Sequence, residues 1–159
     1  MRAQDAAKTQ QPASNTQQQP NTKGQLKTAT CTVSPKVLSV PLTEALRLYR
    51  TGKFDKSVAA YNPISLAGSQ DAVLAYSGLV RVYLKQEKTN DAFAAASKAV
   101  SLIPGKTPAI TALGEVYFRQ GKLKQAEDSF LNPLRACVID ARSYLGLAKT
   151  SKLTIAVAW

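Results

Sequence analysis

The stretch from Ala112 to Phe130, ALGEVYFRQGKLKQAEDSF, decides the fold of this chain. Its first half places Leu113, Gly114 and Tyr117 at the spacing of three and four residues that marks one face of a helix. Gly121 then interrupts the pattern, which resumes after it. Because glycine readily takes positive φ, we expect the chain to reverse direction at Gly121, between two helices that pack together.

The same arrangement recurs 34 residues earlier in the chain. A window starting at Val73 and one starting at Thr107 carry apolar residues at positions 4, 7 and 11, and alanine at position 20. In order, these residues are Tyr76, Leu79, Tyr83 and Ala92, then Ile110, Leu113, Tyr117 and Ala126. Weaker windows start at Leu38 and at Ala141. A helix pair that recurs at a fixed interval indicates a repeat protein, in which each unit buries its apolar face against its neighbours.

The segments 74–100 and 112–130 resemble the tetratricopeptide repeat, a helix-turn-helix unit with the pattern W-x2-L-G-x2-Y, then Ala, Phe and Pro. The resemblance covers residues 38–148. It implies an all-α fold, a right-handed superhelical α-solenoid of such repeats. The implied units are repeat 1 at residues 38–72, repeat 2 at 73–106, repeat 3 at 107–140, and a partial fourth repeat or capping helix at 141–159.

The chain departs from this pattern at a few positions. Glu87 stands where the turn glycine is expected, and Thr89 replaces the turn aromatic. Pro63 and Pro133 fall inside the second helices of repeats 1 and 3. Because proline removes a backbone hydrogen bond and clashes with the preceding turn, we expect both helices to kink or end early there.

The first 30 residues differ in composition from the rest of the chain. They hold seven Gln, five Thr and five Ala, and only two apolar residues larger than Ala. Such a segment cannot bury enough apolar surface to offset the entropy of ordering it. We therefore predict a disordered Gln/Thr-rich tail at residues 1–35, most simply a solvated spacer, with the folded domain beginning near Lys36.

Composition argues against catalysis and metal binding. The chain has no histidine, which is the commonest general base and a frequent metal ligand. Its carboxylates are scattered, with no nucleophile motif or phosphate-binding glycine loop beside them. Cys31 and Cys137 lie 106 positions apart without metal-ligand spacing, so free thiols are favoured over a single disulfide. We predict no catalytic residue, no cofactor and no metal.

The net charge of +11 raises the question of polyanion binding. No basic cluster is interleaved with aromatic residues, so the charge predicts at most nonspecific, salt-sensitive contact with nucleic acid and no specific recognition. No apolar run reaches the length of about 18 residues that a transmembrane helix needs.

The resemblance instead implies a concave groove, lined by the first helix of each repeat, that holds an extended or helical peptide. The candidate groove residues are Tyr49, Arg50, Arg81, Leu84, Lys85, Glu115, Phe118, Arg119, Arg142 and Lys149. Cations beside aromatic and aliphatic surface favour an acidic or carboxylate-bearing peptide with apolar anchors. The Lys and Asn positions of the family's chaperone-binding carboxylate clamp hold other residues here, namely Leu42, Leu46, Gly78, Pro108 and Ala112.

Two hypotheses for function follow. The first is a non-enzymatic protein–protein interaction scaffold that binds a peptide of another protein in the groove. The alternative is an accessory repeat region of a larger protein, such as a cell-envelope enzyme or assembly protein, because the repeat pattern stops after Ala148 without a second helix. The compartment stays open between cytoplasm and bacterial cell envelope, and the uncapped C-terminal end fits either a monomer or a dimer.

Overall fold

A computed structural model of the chain describes residues 37–68, 70–136 and 138–157. Seven helices lie within these ranges, and no strand does. The helices are α1 Val40–Arg50, α2 Phe54–Leu66, α3 Gln70–Lys85, α4 Thr89–Leu102, α5 Thr107–Arg119, α6 Leu123–Arg135 and α7 Ala141–Val157. The predicted tail at residues 1–35 and both cysteines lie outside the described residues.

Tight turns join the two helices of each pair. Gly121, between α5 and α6, has φ +72°, as the sequence predicts, and Gly52, between α1 and α2, has φ +74°. Glu87 takes the same left-handed conformation between α3 and α4, with φ +61°. All three turns close with the same backbone hydrogen bond. The residue after the one with positive φ donates its N–H to the carbonyl of the residue five positions before it, for example Lys122 to Tyr117 at 2.9 Å.

The two prolines do not end their helices. α2 continues through Pro63 to Leu66, and α6 continues through Pro133 to Arg135. When the repeats are aligned by their 34-residue period, each of these helices ends one position earlier than α4, which contains no proline. The expectation of an early end is therefore wrong, because each proline falls in the last turn, where only one hydrogen bond is lost; a kink stays a prediction.

Helix contacts divide the fold into two layers. Each helix packs on the next one along the chain, and α1, α3, α5 and α7 also pack successively on one another. Within the described residues, α2 makes no contact with α4, nor α4 with α6. The odd-numbered helices therefore form a close inner layer and the even-numbered helices a splayed outer one, which gives the stack a concave and a convex side.

Small residues bring the layers together. The buried Ser57 hydroxyl on α2 donates to the Ala45 carbonyl on α1 at 2.8 Å. Tyr61 of α2 packs its ring directly on Gly78 of α3. Because an added Cβ would collide with this ring, glycine is required for the close contact.

Phe130 of α6 has a corresponding place at the other end of the stack. The side chain is 1% exposed and lies against both Gly114 of α5 and Gly146 of α7. A Cβ built on Gly114 would lie 2.8 Å from Cε1 of the Phe130 ring, inside van der Waals contact. The ring thereby fixes α7 against the rest of the solenoid.

A polar cluster also anchors α7. Asp140 caps its N-terminus, where its Oδ2 accepts hydrogen bonds from the Ser143 N–H at 3.0 Å and the Ser143 hydroxyl at 2.8 Å. The Thr111 hydroxyl of α5 joins them, 3.1 Å from the same Oδ2 and 2.9 Å from the Ser143 hydroxyl. α7 then runs to Val157 as one helix, and none of the seven described helices is long and apolar enough to cross a membrane.

Candidate functional site

The concave side holds a cavity of about 420 Å³ between the odd-numbered helices. Nine of the ten predicted groove residues line it, namely Tyr49, Arg81, Leu84, Lys85, Glu115, Phe118, Arg119, Arg142 and Lys149. The tenth, Arg50, is exposed and does not line this cavity. We call this space the cationic cavity. Its remaining walls are Phe130, Leu145 and Gly146, which the sequence analysis does not identify.

Positive charge dominates the lining of the cationic cavity. Five cations face one carboxylate, that of Glu115. Within the described part of the chain, no carboxylate oxygen lies within 4.0 Å of any of these five cations, since the two ion pairs found there are Arg47–Glu44 and Lys124–Asp128. The cavity therefore presents cations without close counter-ions.

Arg81 is the most enclosed of these cations. Its Nε donates to the Ser77 carbonyl at 3.1 Å, and its Cζ lies 5.8 Å from the centre of the Tyr49 ring. Burial lowers the pKa of the guanidinium, and the positive charge of Arg142 lowers it further. Its two Nη groups donate to no residue that the structure describes, so these donors are available to a ligand.

Arg119 plays a different part. One of its Nη groups donates to the Leu84 carbonyl at 2.9 Å, near the C-terminal end of α3. Carbonyls at a helix C-terminus lack partners within the helix and carry partial negative charge, so a guanidinium is well placed there. This bond ties α5 to α3 and restrains Arg119, whereas Lys85 and Lys149, which are exposed like Arg119, make no such bond within the described residues.

Glu115 lies among the cations but without a close partner. Burial raises the pKa of its carboxyl, the positive charges of Arg142, Arg81 and Lys149 lower it, and Asp140 raises it; the net direction is upward. The cavity thus contains a carboxylate that the fold stabilises poorly in its charged form.

A second, smaller cavity of about 210 Å³ continues the groove. We call it the leucine cavity. Its lining is mainly apolar and consists of Leu38, Leu42, Leu46, Tyr61, Leu74, Ser77, Arg81, Pro108, Thr111, Ala112, Asp140 and Arg142. Arg81 and Arg142 line both cavities. One sequence signal was available for it, because Leu38, Leu42 and Leu46 recur every four residues along the first repeat.

Tyr61 supplies the leucine cavity with a polar group. Its side chain is 2% exposed, yet its hydroxyl has no hydrogen-bond partner among the residues that the structure describes. Burial raises the pKa of the phenol, and the charges of Arg81 and Arg142 oppose that rise. Tyr61 also belongs to the main apolar core of the solenoid.

Comparison with known proteins gives similarity at the level of structure only. No protein-family model and no curated protein matches the chain. The TPR domain of Sgt2 from Aspergillus fumigatus is 16% identical with a TM-score of 0.62, over 74% of this chain and 79% of that one. The first TPR domain of Spaghetti (RPAP3), bound to the HSP90 peptide SRMEEVD, is 20% identical with a TM-score of 0.57, over 73% and 91%.

A third similar structure is the second TPR domain of human RPAP3 in complex with the HSP70 peptide SGPTIEEVD. It is 20% identical with a TM-score of 0.56, over 70% of this chain and 92% of that one. At these levels of identity the likeness concerns the fold, which is the all-α superhelical solenoid that the sequence predicts.

Proposed function

We propose, from the premise that this chain has the tetratricopeptide-repeat fold, that it is a non-enzymatic interaction scaffold whose concave groove binds an acidic peptide segment of another protein. The observation that carries the proposal is the cationic cavity, where five cations lack a carboxylate within 4.0 Å. Cations held together in a half-enclosed cleft focus a positive potential, which attracts and orients a negatively charged partner.

The groove also offers apolar surface between its charges. Tyr49, Leu84 and Phe118 line the cationic cavity beside Arg81 and Lys85. Aromatic and aliphatic walls supply the burial that gives a peptide its affinity, while the cations select its charge. A peptide with carboxylates between apolar side chains matches both features.

The peptide-bound neighbours support an acidic ligand in general terms. The peptides named in those two structures both end in EEVD, with three acidic residues among the last four. The clamp residues that a chaperone tail requires are replaced in this chain, where Leu42 and Ala112 are buried and Gly78 lies under Tyr61. We therefore propose an acidic ligand other than a chaperone tail.

The cavity lining fits binding better than catalysis. Among its residues, Glu115 is the only carboxylate, and no Ser, Thr or Cys lines the cavity beside it. We accordingly propose that the groove holds its ligand without altering it.

The test uses a library of random peptides displayed on phage, selected against the full chain, followed by synthesis of the enriched peptide with a fluorescent label. Anisotropy titration then compares two double variants, Lys85→Glu with Lys149→Glu, and Lys98→Glu with Lys124→Glu. All four lysines are exposed, and both pairs change the net charge equally, but the second pair lies on the outer helices α4 and α6.

We expect acidic peptides to be enriched, and the groove pair to weaken binding by about tenfold or more while the outer pair changes it little. Equal weakening by both pairs would show a nonspecific charge effect and contradict the groove assignment. Failure of the library to yield any peptide would also contradict the proposal.

A further inference from the structure

The two cavities of the groove meet at a pair of arginines. Arg81 comes from α3 and Arg142 from α7, and both side chains line the cationic cavity and the leucine cavity. Two guanidinium groups on the same boundary repel each other unless an anion lies between them. Glu115 lines the cationic cavity with them and Asp140 lines the leucine cavity, but neither carboxylate forms an ion pair within 4.0 Å with either arginine.

Unused hydrogen-bond donors lie at the same boundary. The two Nη groups of Arg81 and the guanidinium of Arg142 donate to none of the described residues, and the hydroxyl of Tyr61 is equally without a partner there. Tyr61 is 2% exposed, but its hydroxyl is not among the polar atoms cut off from solvent, so a ligand that enters the leucine cavity replaces water there. Arg142 is exposed and Arg81 is half-buried, so these donors bond to water until a ligand supplies an acceptor, and a carboxylate can accept from several of them at once.

The far side of the boundary is apolar. Leu38, Leu42 and Leu46 of the first repeat and Leu74 of α3 surround the leucine cavity, together with Pro108 and Ala112 of α5. Its volume of about 210 Å³ is below the roughly 300–1,000 Å³ of pockets that enclose whole small molecules. The leucine cavity is therefore large enough for one side chain of a longer ligand.

We infer that the groove recognises a two-part signature in its peptide, a single carboxylate held between Arg81, Arg142 and the Tyr61 hydroxyl, with a branched or aromatic apolar side chain beside it that enters the leucine cavity. The inference rests on the proposed function and adds to it the order and the chemistry of the bound side chains. Because Arg81 and Arg142 line both cavities, one short segment is expected to supply both parts.

A more highly charged group fits this boundary less well. Asp140 also lines the leucine cavity, and its Oδ2 already accepts hydrogen bonds from Ser143 and Thr111. Its negative charge and the apolar leucine walls oppose a phosphate there, whereas one carboxylate next to an apolar side chain meets cations on one side and hydrocarbon on the other.

The test takes the labelled peptide enriched from the phage library and measures its affinity for four single variants of the full chain. Tyr61→Phe removes only the hydroxyl, and its control is Tyr76→Phe, a half-buried tyrosine that lines neither cavity. Leu46→Ala opens the leucine cavity, and its control is Leu48→Ala, a half-buried leucine on the same helix that does not line it.

We expect the enriched peptides to place an acidic residue next to Leu, Ile, Met or Phe. Tyr61→Phe should weaken binding about tenfold because it removes a hydrogen bond to a charged group, and Leu46→Ala should weaken it by a similar factor. Replacing the apolar residue of the peptide by Ala should weaken its binding to the native chain by the same factor. The same replacement should weaken binding to the Leu46→Ala variant little further, because both changes remove one and the same contact.

Different outcomes separate this inference from the proposed function. If the groove lysine pair weakens binding but Tyr61→Phe and Leu46→Ala match their controls, the two-part signature is wrong and acidic-peptide binding stands. If the losses of affinity from Leu46→Ala and from the alanine replacement in the peptide add fully, the apolar residue does not enter the leucine cavity, and the inference is again wrong. If no peptide binds the native chain, both proposals fail together.

Discussion

Glu115 gives the groove a dependence on pH. Burial raises its pKa, and the negative charge of Asp140 acts in the same direction. The positive charges of Arg142, Arg81 and Lys149 lower it, but the net change is upward. An acidic peptide brings more negative charge towards this carboxyl and should raise its pKa further, so binding takes up a proton. We expect affinity to be higher at a mildly acidic pH, still above the range in which ordinary carboxyl groups titrate, than at neutral pH.

The variant Glu115→Gln tests this directly by anisotropy at both pH values. It should bind the acidic peptide more tightly than the native chain at the higher pH and lose most of the dependence. A carboxyl with a raised pKa contributes stability at low pH that is lost as the pH rises through its folded-state pKa, so the variant should also unfold at higher temperature near neutrality. An unchanged pH dependence in Glu115→Gln would assign the effect to another group.

Glu87 offers a prediction about stability at the same scale. It holds φ +61° at a turn where the equivalent residues Gly52 and Gly121 hold φ +74° and +72°. A side chain in this conformation costs about 1 kcal/mol, and Glu87 is exposed with little packing to lose. Glu87→Gly should therefore raise the free energy of unfolding by about 1 kcal/mol in urea denaturation.

The matched control for Glu87→Gly is Gly121→Ala, which introduces a side chain at positive φ and should lower the free energy of unfolding by a similar amount. No atom lies within 4 Å of a Cβ built on Gly121, so the loss would come from backbone conformation alone. A destabilised Glu87→Gly variant would mean that the side chain has a stabilising role that its contacts do not show.

Single residues differ in how far the sequence predicts them. The repeat spacing identifies the turn at Gly121, and the family resemblance identifies nine residues of the cationic cavity, because each depends on its position within one helix pair. It does not identify Tyr61 and Phe130 as groove residues. Both belong to outer helices and reach the concave side only because Gly78, Gly114 and Gly146 on neighbouring helices leave room for their rings.

At the scale of helices, the attachment of α7 depends on Phe130. The ring lies against Gly114 and Gly146 and forms part of the cationic cavity, so a methyl group at either glycine must displace it. We expect Gly146→Ala to lower the free energy of unfolding by about 1–3 kcal/mol, the usual range for overpacking. Hydrogen exchange should show the loss concentrated in α7.

The control for Gly146→Ala is Ser151→Ala, an exposed position on the same helix that should be nearly neutral. Because Gly146→Ala also displaces a wall of the cationic cavity, it should weaken the selected peptide as well as the fold. Full stability in this variant would show that α7 can shift without cost, and that the glycine contact is not what holds it.

The positions at which helices begin and end are predicted less well from the sequence than the helices themselves. Proline is read as a helix breaker, yet α2 and α6 pass through Pro63 and Pro133. The penalty is real but local, and contacts with the neighbouring helices keep the last turn folded. The start of α3 at Gln70, three residues before the predicted second repeat, has a similar cause, since a helix end is set by packing as well as by the repeat period.

For the whole molecule, the repeat period accounts for the architecture. An apolar face that returns every 34 residues requires helix pairs to stack in one direction, and the all-α solenoid predicted on this basis is confirmed. Contacts among the odd-numbered helices, absent among the even-numbered ones that the structure describes, produce the curvature and hence the groove. The choice between monomer and dimer stays a prediction, with Tyr144, Leu145 and Ile155 of α7 exposed as a surface for association.

The period does not determine how the side chains of different repeats combine. The arginine pair joins residues 61 positions apart, on α3 and α7, and the leucine cavity draws on three repeats and on the partial fourth unit. Such a site depends on the relative rotation of successive helix pairs, which a pattern within one repeat does not contain. The net charge of +11 likewise acquires meaning only when its cations are placed on the concave side.

The central claim is that the concave groove binds an acidic peptide. The most direct measurement is an NMR titration of the ¹⁵N-labelled chain with the selected peptide. The account predicts that shift changes will be concentrated on α1, α3, α5 and α7 around Arg81 and Arg142, with the outward faces of α4 and α6 unchanged. Shift changes concentrated on those outward faces, with the groove unaffected, would contradict it.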